Sequence, residues 1–590
     1  MDNQRLLVWA AFGLLAWFTY QQWMQDYAPP PGAAVAPPVS EESRSPVTQD
    51  SELPALPEAT IDAPVVAAAP ELPEVAAVEA AAAAGLIRVS TDVFDIEIDT
   101  RGGTIRKAEL RNYPVAKDQP DTLVELLSPQ PANLGLIQSG LRTAGGGPEA
   151  NHLANFSSSR SAYALRGEDE LIVPLSWTDG NGVTVIKQYR FTPGSYVIDL
   201  QHKVINRSAD VWRGAEYVQI QRRSYPVERS MFNVDTYSFD GAVIYDGDKT
   251  EKIKRDDLLS DGPFSASAQA GWIATIQHHF LSAVVPTTEE PYRVNIAQKG
   301  DVAVASMIGP ARSVAPGADT TFDTTLFVGP KLQSQLEEVT ESLKLTVDYG
   351  WLTILSQPLF WLLNKVHAVL QNWGLAIIFV TILIKLAFYK LTQASGRSMA
   401  KMRTIQPRMK ALQERYKDDR QQLSQAMMEL YKREKVNPAA GCLPILIQMP
   451  FFLAFYWVLL ESVEMRQAPF ALWITDLSSR DPYFILPLIM GVAMLLQTKL
   501  NPAPADPVQA KVMQIMPIMF TGFFAFFPSG LVLYWVTNTI LSIAQQWRIN
   551  KIVEEESKKG KGKAKDKTKD KDKDKDKDKD KDKDKGKPKA

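Results

Sequence analysis

The stretch FVTILIKLAF, from Phe379 to Phe388, places one lysine, Lys385, inside an otherwise apolar run. Apolar runs of this kind predict helices in a lipid bilayer, where an ionised side chain is expensive and usually marks a function. The helix is expected to continue to Ala394, which lies nine residues beyond Lys385, or about 13 Å at 1.5 Å per residue. A lysine can extend its ammonium part of that way to the membrane surface, as Lys390 is expected to do. Lys385 either does the same or serves a function inside a helix bundle.

Further apolar runs in the second half of the chain predict an α-helical polytopic membrane protein. The predicted core, residues 374–548, contains five spans: Leu375 to Leu391, Leu443 to Leu460, Tyr483 to Gln497, Val512 to Phe527 and Gly530 to Ile543. An N-terminal anchor in residues 1–27 brings the total to six. The run from Trp351 to Leu363 is too short to span and contains Pro358. The segment 331–373 is therefore predicted to hold connecting and interfacial amphipathic helices.

Two segments of different composition lie between the anchor and the core. Residues 28–85 are mostly proline, alanine and glutamate with few large apolar side chains, which predicts a disordered linker. Residues 86–330 alternate apolar and polar residues, as in VIDLQHKVIN at residues 197–206, and turn signals separate these runs. This period of two predicts a large all-β sandwich domain.

The formal net charge of -2 conceals two basic segments. Residues 394–442 carry eleven Lys or Arg against five Asp or Glu, and residues 551–590 carry eighteen Lys against twelve acids. Six spans place both segments and both termini in the cytoplasm and the β domain outside, in agreement with the positive-inside rule. In residues 394–442, helical spacing and the cap signal of Asp419 with Gln422 predict a helical hairpin that is kinked near Pro407. Its basic outer face is expected either to rest on anionic lipid or to dock a partner. The Lys-Asp repeat predicts a disordered tail over 549–590.

Polar residues form stripes on the predicted spans. One stripe has the spacing i, i+4, i+8 and i+11, and it consists of Thr381, Lys385, Tyr389 and Thr392. A second stripe in the last span consists of Tyr534, Thr537, Asn538, Ser542 and Gln545, and Gln448 and Gln514 add polar groups in two other spans. Such stripes face one another or a wet cavity, because lipid would leave them unsatisfied. Lys385 has no intramembrane carboxylate placed to neutralise it, so it is available to attract a visiting anion.

The sequence gives little support for metal or catalytic chemistry. Cys442 is the only cysteine, and no histidine or carboxylate cluster has the spacing of a zinc site. The neighbouring His278 and His279 are interpreted as ordinary strand residues, because adjacent side chains on a strand point to opposite faces. No nucleotide-binding loop or nucleophile motif is present. We therefore expect a protein without a metal, a cofactor or an enzymatic activity.

Several long motifs carry a resemblance to a known family: TILIKLAFYKLT at 381–392, MAKMRTIQPRMKALQERY at 399–416, VNPAAGCLPILIQMPFFLAFYWVL at 436–459 and FPSGLVLYWVTN at 527–538. They resemble the YidC/Oxa/Alb family of membrane protein insertases. The N-terminal anchor and the large β domain resemble the members from double-membrane (Gram-negative) bacteria, where the protein lies in the inner membrane with the β domain in the periplasm. The resemblance runs essentially from end to end.

The resemblance implies a hydrophilic groove between the five core spans, with a cation that receives acidic residues of an incoming chain. Lys385 matches this cation, where the best-known relatives carry arginine. The residues assigned to the substrate groove, from the resemblance and the stripes together, are Thr381, Lys385, Tyr389, Gln448, Pro450, Phe452, Gln514, Tyr534, Trp535, Thr537 and Asn538. The implied partners are nascent membrane proteins, the Sec translocon, the ribosome with the signal-recognition-particle machinery, and the lipid bilayer. Sequence-specific nucleic-acid binding is not expected.

The expected function is that of an insertase or chaperone that receives nascent hydrophobic segments and releases them into the bilayer, alone or with the Sec translocon. One alternative is a small-solute transporter, which would favour an internal repeat and discontinuous helices. A second alternative is a periplasmic carbohydrate-binding protein or enzyme tethered to the membrane. Paired carboxylates at a recognisable spacing, which the enzyme would need, do not stand out.

Overall fold

The structure is a computed structural model that describes residues 85–144, 147–225, 238–417, 419–434, 436, 443–500 and 507–583. The predicted anchor, nearly all of the predicted linker, Cys442 and residues 584–590 lie outside this range. The described residues fall into two compact units. One unit contains the residues up to Gln357 together with Trp457–Ala468, and the other contains Pro358–Tyr456 and the residues from Pro469 onward.

The first unit is a β-sandwich, as the alternation predicts. An 11-stranded sheet has the order β13-β16-β17-β10-β5-β3-β2-β1-β6, with β18 paired to β10 and β4 paired to β3, and an 8-stranded sheet has the order β12-β11-β14-β15-β19-β9-β8-β7. The strands are β1 (Leu86–Ser90), β2 (Phe94–Asp99), β3 (Thr104–Ala116), β4 (Gln119–Leu127), β5 (Gly135–Thr143), β6 (Ala162–Ala164), β7 (Leu171–Thr178), β8 (Val183–Phe191), β9 (Val197–Asn206), β10 (Trp212–Arg223), β11 (Asp240–Tyr245), β12 (Thr250–Ile253), β13 (Phe264–Gln269), β14 (Trp272–Gln277), β15 (Phe280–Pro286), β16 (Pro291–Lys299), β17 (Val302–Ile308), β18 (Arg312–Val314) and β19 (Asp319–Pro330).

The sandwich core follows from the period of two. In β9 every second residue is buried, so that one face carries Ile198, Leu200, His202 and Val204. In β14 and β15 almost every residue is buried, because these strands occupy the middle of their sheet. Large side chains such as Trp272 and Tyr217 are fully enclosed.

One buried residue of the sandwich is a lysine. The Lys187 ammonium donates hydrogen bonds to the backbone carbonyls of Gly102 (2.7 Å) and Ser139 (3.2 Å), and the Tyr189 ring lies 5.5 Å away. Burial lowers the pKa of Lys187 from 10.5 to about 7. In the unfolded chain the ammonium regains its ordinary pKa, so between about pH 7 and pH 10.5 the unfolded state binds more protons than the folded state.

We therefore expect the β-sandwich to become more stable as the pH rises from 7 to 9.5, by at most about 1.4 kcal/mol per pH unit from this one group. Lys187→Met should remove this pH dependence, which can be measured as hydrogen-exchange protection of β8 amides in the full-length protein. Lys203→Met is the matched control, because the Lys203 ammonium lies at the surface beside Asp319 at 3.2 Å. The same slope in the parent and in Lys187→Met would contradict the assignment.

The segment Trp457–Ala468 belongs to the β unit through a buried ion pair. The Lys331 ammonium lies 3.0 Å from Glu461 Oε2, and both side chains are buried. The Ser238 hydroxyl donates to Glu461 Oε1 at 2.9 Å. Nearby, burial raises the pKa of the Glu464 carboxyl to about 7, and its Oε2 is enclosed without a hydrogen-bond partner among the described residues. The ion pair therefore lies in a poorly hydrated environment.

His278 and His279 contact the same segment. The prediction that they are strand residues on opposite faces is wrong. They form the turn between β14 and β15, and His278 has a left-handed backbone with φ 44°. The two rings stack with centroids 3.7 Å apart, and both Nε2 atoms lie 3.1 Å from the backbone oxygen of Leu460. Because strand alternation ends at the turn, both rings can face one acceptor. Burial keeps the pKa of His279 well below its ordinary value, so this ring is neutral.

The helices of the described residues are α1 (Arg255–Ser260), α2 (Gln333–Val339), α3 (Thr353–Leu370), α4 (Trp373–Ala387), α5 (Tyr389–Arg415), α6 (Arg420–Arg433), α7 (Leu443–Glu461), α8 (Ile485–Leu500), α9 (Pro507–Phe524) and α10 (Ser529–Lys583). Short 3-10 helices cover Pro131–Asn133, Glu341–Thr346, Gly350–Leu352 and Val463–Met465. Helix α3 contains Pro358 and is two-sided: Leu359 and Leu363 are buried, whereas Ile354 and Trp361 are exposed. An amphipathic helix of this kind suits a membrane surface.

The helix that carries Lys385 is shorter than predicted. Helix α4 ends at Ala387, and the chain bends by 70° into α5. The straight continuation of nine residues to Ala394 is therefore wrong, and the predicted stripe is divided, with Lys385 in the last turn of α4 and Tyr389 and Thr392 on α5. The Thr392 hydroxyl bonds the carbonyls of Phe388 and Tyr389, which satisfies acceptors at the bend. In the described part of the chain, only this bent pair combines enough length and hydropathy to cross a membrane, and no single helix does.

Helices α8 and α9 approach closely at a glycine. A Cβ atom added to Gly491 would lie 2.2 Å from the Thr521 hydroxyl oxygen, closer than real Cβ atoms come. The neighbouring Gly522 has open space around the same position. A larger residue at 491 therefore requires the Thr521 side chain to move, whereas a larger residue at 522 meets nothing.

We expect Gly491→Val to lower the thermal stability of the purified protein in detergent, because overpacking of this kind costs about 1–3 kcal/mol. Gly522→Val should leave the unfolding temperature near that of the parent. Equal unfolding temperatures for the two variants would show that α8 and α9 can separate without cost.

The C-terminal tail differs from its prediction as a disordered segment. Helix α10 continues from Ser529 to Lys583 and includes most of the Lys-Asp repeat. The physical reason is that the tail follows directly on the last predicted span, and extending a helix that has already formed costs less than nucleating a new one. The prediction from low complexity took account of composition and not of the helix that precedes the tail.

Candidate functional site

Polar side chains of α10 bond three other helices in turn. Asn538, Ser542 and Gln545 have the spacing i, i+4 and i+7, which places them on one face of the helix. Each of the three bonds a polar residue from a different helix: α7, α4 and α5, respectively. We call this set the polar seam, and it consists of Lys385, Thr392, Gln448, Asn538, Ser542 and Gln545.

Lys385 lies at the centre of the polar seam. Its ammonium donates a hydrogen bond to the Ser542 hydroxyl oxygen at 2.8 Å. The Ser542 hydroxyl donates in turn to the backbone oxygen of Asn538 at 2.7 Å, four residues earlier in α10. Among the described residues, no carboxylate lies within ion-pair distance of Lys385. Among the described residues the ammonium therefore has a single hydrogen-bond partner, and that partner is neutral.

Amide contacts lie on either side of the lysine. The Gln448 amide of α7 donates to the Asn538 side-chain oxygen. Gln545 donates to the Thr392 hydroxyl oxygen of α5 at 2.8 Å. A charged or amide side chain between apolar helices is stable only with such partners. The seam thus joins four helices through polar contacts.

Aromatic rings pack α7 against α10 beside the polar seam. Phe452 lies 4.6 Å from Trp535 with the rings at 76°, and Phe455 stacks on Tyr534 at 4.6 Å. Phe524 of α9 lies 5.4 Å from the same Trp535. A large apolar wall therefore adjoins the polar seam, which suits a partner with both apolar and polar parts.

The loop between α7 and α8 closes onto the start of α10. The Ser529 backbone donates to Ser479 at 2.7 Å, and the Ser529 hydroxyl donates to the backbone oxygen of Asp476 at 2.6 Å. The buried Asp481 carboxylate accepts from Trp473 Nε1 (3.0 Å) and from the Leu486 backbone (2.7 Å) near the start of α8. These contacts hold the loop against the starts of α8 and α10.

Helices α5 and α6 pack through a small apolar core and expose their charges. The core consists of Ile405, Met409, Met427, Leu430 and Val436. The Asp419 carboxylate accepts from the backbones of Gln421 and Gln422, so the cap predicted from the sequence is present. The described basic side chains of these helices are exposed: Lys390, Arg397, Lys401, Arg403, Arg408, Lys410, Arg415, Lys432 and Arg433. This face can attract an anionic surface.

The structure brings together most of the residues predicted for the groove. Lys385, Gln448, Phe452, Tyr534, Trp535 and Asn538 are connected by the contacts described above, and Pro450 lies inside α7 between two of them. Thr381 and Thr537 bond carbonyls of their own helices, at 2.6 Å and 2.8 Å. Tyr389 is partly exposed on α5. Gln514 is exposed on α9 and joins no hydrogen bond among the described residues.

The pairing partners of the polar seam were not predicted from the sequence. The stripe on the last span includes Ser542 and Gln545, but its spacing alone does not indicate which helix each residue contacts. Phe455 and Phe524 also contribute to the aromatic wall, and nothing distinguishes them from other phenylalanines in apolar runs. The four-residue spacing from Asn538 to Ser542 was the one pattern in the sequence that places these polar residues on the same face of the helix.

Comparisons with known proteins cover nearly the whole chain. Residues 86–362 match the model of the YidC periplasmic domain, and residues 365–557 match the model of the 60Kd inner membrane protein family. Membrane protein insertase YidC of Thioalkalivibrio sulfidiphilus is 48% identical over 95% of this chain and 100% of its own length. The homologue from Methylococcus capsulatus is 46% identical with the same coverage.

A crystal structure of an active YidC insertase with its first transmembrane domain resolved is similar at 18% identity and a TM-score of 0.36, covering 78% of this chain and 94% of that one. The relatives support neither a solute transporter nor a carbohydrate-binding protein. They imply an inner-membrane protein with a periplasmic domain, which acts on nascent membrane proteins without enzymatic chemistry. The chain belongs to the YidC family of membrane protein insertases.

Proposed function

We propose that this insertase receives the hydrophobic segment of a nascent chain beside the polar seam, draws its polar flank partway across the bilayer and releases the helix into lipid. The observation that carries the proposal is the Lys385 ammonium, which lies between apolar helices with only Ser542 as its partner among the described residues. A cation without a fixed counter-ion lowers the cost of bringing an acidic side chain into the membrane. The aromatic wall of Phe452 and Trp535 adjoins it and suits the apolar part of the same segment.

The proposal includes a topology with six spans. The N-terminal anchor and the five core spans place both termini in the cytoplasm and the β-sandwich in the periplasm. The basic face of α5 and α6 then forms a cytoplasmic hairpin that meets the ribosome, the signal-recognition-particle machinery or anionic lipid. The Sec translocon is a further proposed partner. The closed loop between α7 and α8 would face the periplasm, so that a polar flank enters from the cytoplasmic side.

Site-specific photocrosslinking tests the proposal. A photoreactive residue in place of Phe452 should label ribosome-bound nascent chains that expose a hydrophobic segment. A probe in place of Ile172, which is an exposed residue of β7, is the control and should label them much less. Equal labelling from both positions, or labelling of small solutes without nascent chains, would contradict a substrate site at the polar seam.

A further inference from the structure

Ser542 is the only described residue that bonds the Lys385 ammonium. An ammonium has three N–H donors and no acceptor, whereas a hydroxyl has one donor and can accept twice. The Ser542 hydroxyl uses its single hydrogen on the backbone oxygen of Asn538, so toward Lys385 it can only accept. The direction of both bonds is therefore determined. Two N–H groups of the lysine remain for a second acceptor.

The position of Lys385 in its helix explains why the bond to Ser542 matters. Lys385 lies in the last turn of α4, two residues before the helix ends, and its four-carbon stem can place the charge at several depths. A free lysine near a helix end tends to extend toward water. Ser542 opposes this motion, because its oxygen is fixed on α10 by the bond to Asn538.

We infer that Ser542 is a positioning residue: it holds the Lys385 ammonium at one depth beside α10 and thereby sets the preference for carboxylates in the incoming segment. This inference rests on the proposed function of Lys385. An ammonium held at one depth presents a point charge at a fixed place, and its two remaining N–H groups can donate to the carboxylate of an aspartate or glutamate that reaches it. A neutral flank gains nothing from this arrangement, so Ser542 should matter for acidic flanks alone.

The test compares acidic and neutral translocated tails on one model substrate, by protease protection in liposomes that contain full-length variants at equal protein level. We expect Ser542→Ala to lower the insertion of acidic tails about three- to tenfold, the scale of a typical intramolecular hydrogen bond, and to spare neutral tails. Ser542→Thr keeps the hydroxyl oxygen and should restore acidic tails. Thr498→Ala is the matched control, because the Thr498 hydroxyl bonds only a carbonyl of its own helix at 2.8 Å.

A double-mutant cycle separates positioning from general stability. If Ser542 acts through the lysine, Ser542→Ala should have no further effect in a Lys385→Leu background. An equal fall for acidic and neutral tails, an effect that adds to Lys385→Leu, or no effect at all would overturn the inference. If Lys385→Leu itself fails to distinguish the two tails, the proposed function fails. If only Ser542→Ala fails to do so, the inference alone is wrong.

Discussion

Replacement of Lys385 by leucine is expected to reduce the insertion of substrates with acidic translocated tails about tenfold or more. At 4 Å, two unit charges attract by about 4 kcal/mol at an effective dielectric constant of 20, and loss of even a third of this amounts to tenfold. Substrates with neutral tails should insert at nearly the parent rate, because they make no use of the charge. Lys385→Arg should retain activity, since the Ser542 oxygen can accept equally well from a guanidinium.

Varying the ionic strength, and comparing the leucine variant with the parent, distinguish electrostatic attraction from a purely structural role of Lys385. If the ammonium meets its carboxylate in a hydrated site, higher ionic strength should weaken the preference for acidic tails. A lysine that only extends to the membrane surface gives a different result, because leucine would then be tolerated or stabilising. Equal insertion of acidic tails by Lys385→Leu and the parent would exclude electrostatic attraction, and the seam would have to act through hydration alone.

A second large effect is expected at the buried ion pair of the β unit. Lys331→Met should destabilise this unit by about 3–5 kcal/mol, because it leaves the Glu461 carboxylate buried without its cation. The double variant Lys331→Met/Glu461→Gln should recover most of the loss, since glutamine is uncharged and can still accept from Ser238. Hydrogen exchange of β15 and α7 peptides in the full-length protein measures both. A single variant as well protected as the parent would show that water reaches Glu461.

The β domain itself is expected to be dispensable for insertion. A deletion of residues 86–325 keeps the junction with α3 and should leave insertion largely intact, because the polar seam lies entirely in the other unit. A truncated protein that is folded but inserts nothing would show that the β unit takes part in insertion.

The sequence predicted those parts of the structure that depend on local periodicity. The alternation in β9 and the helical run before Asp419 are short-range patterns, and the sandwich and the cap both follow from them. The division of the Lys385 stripe could not be predicted in this way. The bend after Ala387 occurs without proline or glycine at the break, so no residue in the sequence marks it.

At the candidate site, the sequence did not predict which distant residues contact one another. Lys385 and Ser542 are separated by 157 positions, and any polar residue of α10 was an equal candidate from its spacing alone. The ion pair of Lys331 with Glu461 joins a strand end to a helix end across 130 positions. Lys385 could be identified as unusual in the sequence, but its partner depends on how the helices pack. Nothing in the sequence singled out Lys331 or Glu461.

In the turn between β14 and β15, the local backbone conformation favours one type of residue, whereas a distant contact requires another. A left-handed residue in a two-residue hairpin favours asparagine or glycine, yet His278 occupies this position. A design procedure that considered only the hairpin would replace the pair by Asn-Gly and make the turn easier to form. It would also delete both rings that face the Leu460 oxygen at the end of α7. The amino acids of this turn are explained by the helix end that they cap, so the hairpin and the helix must be redesigned together.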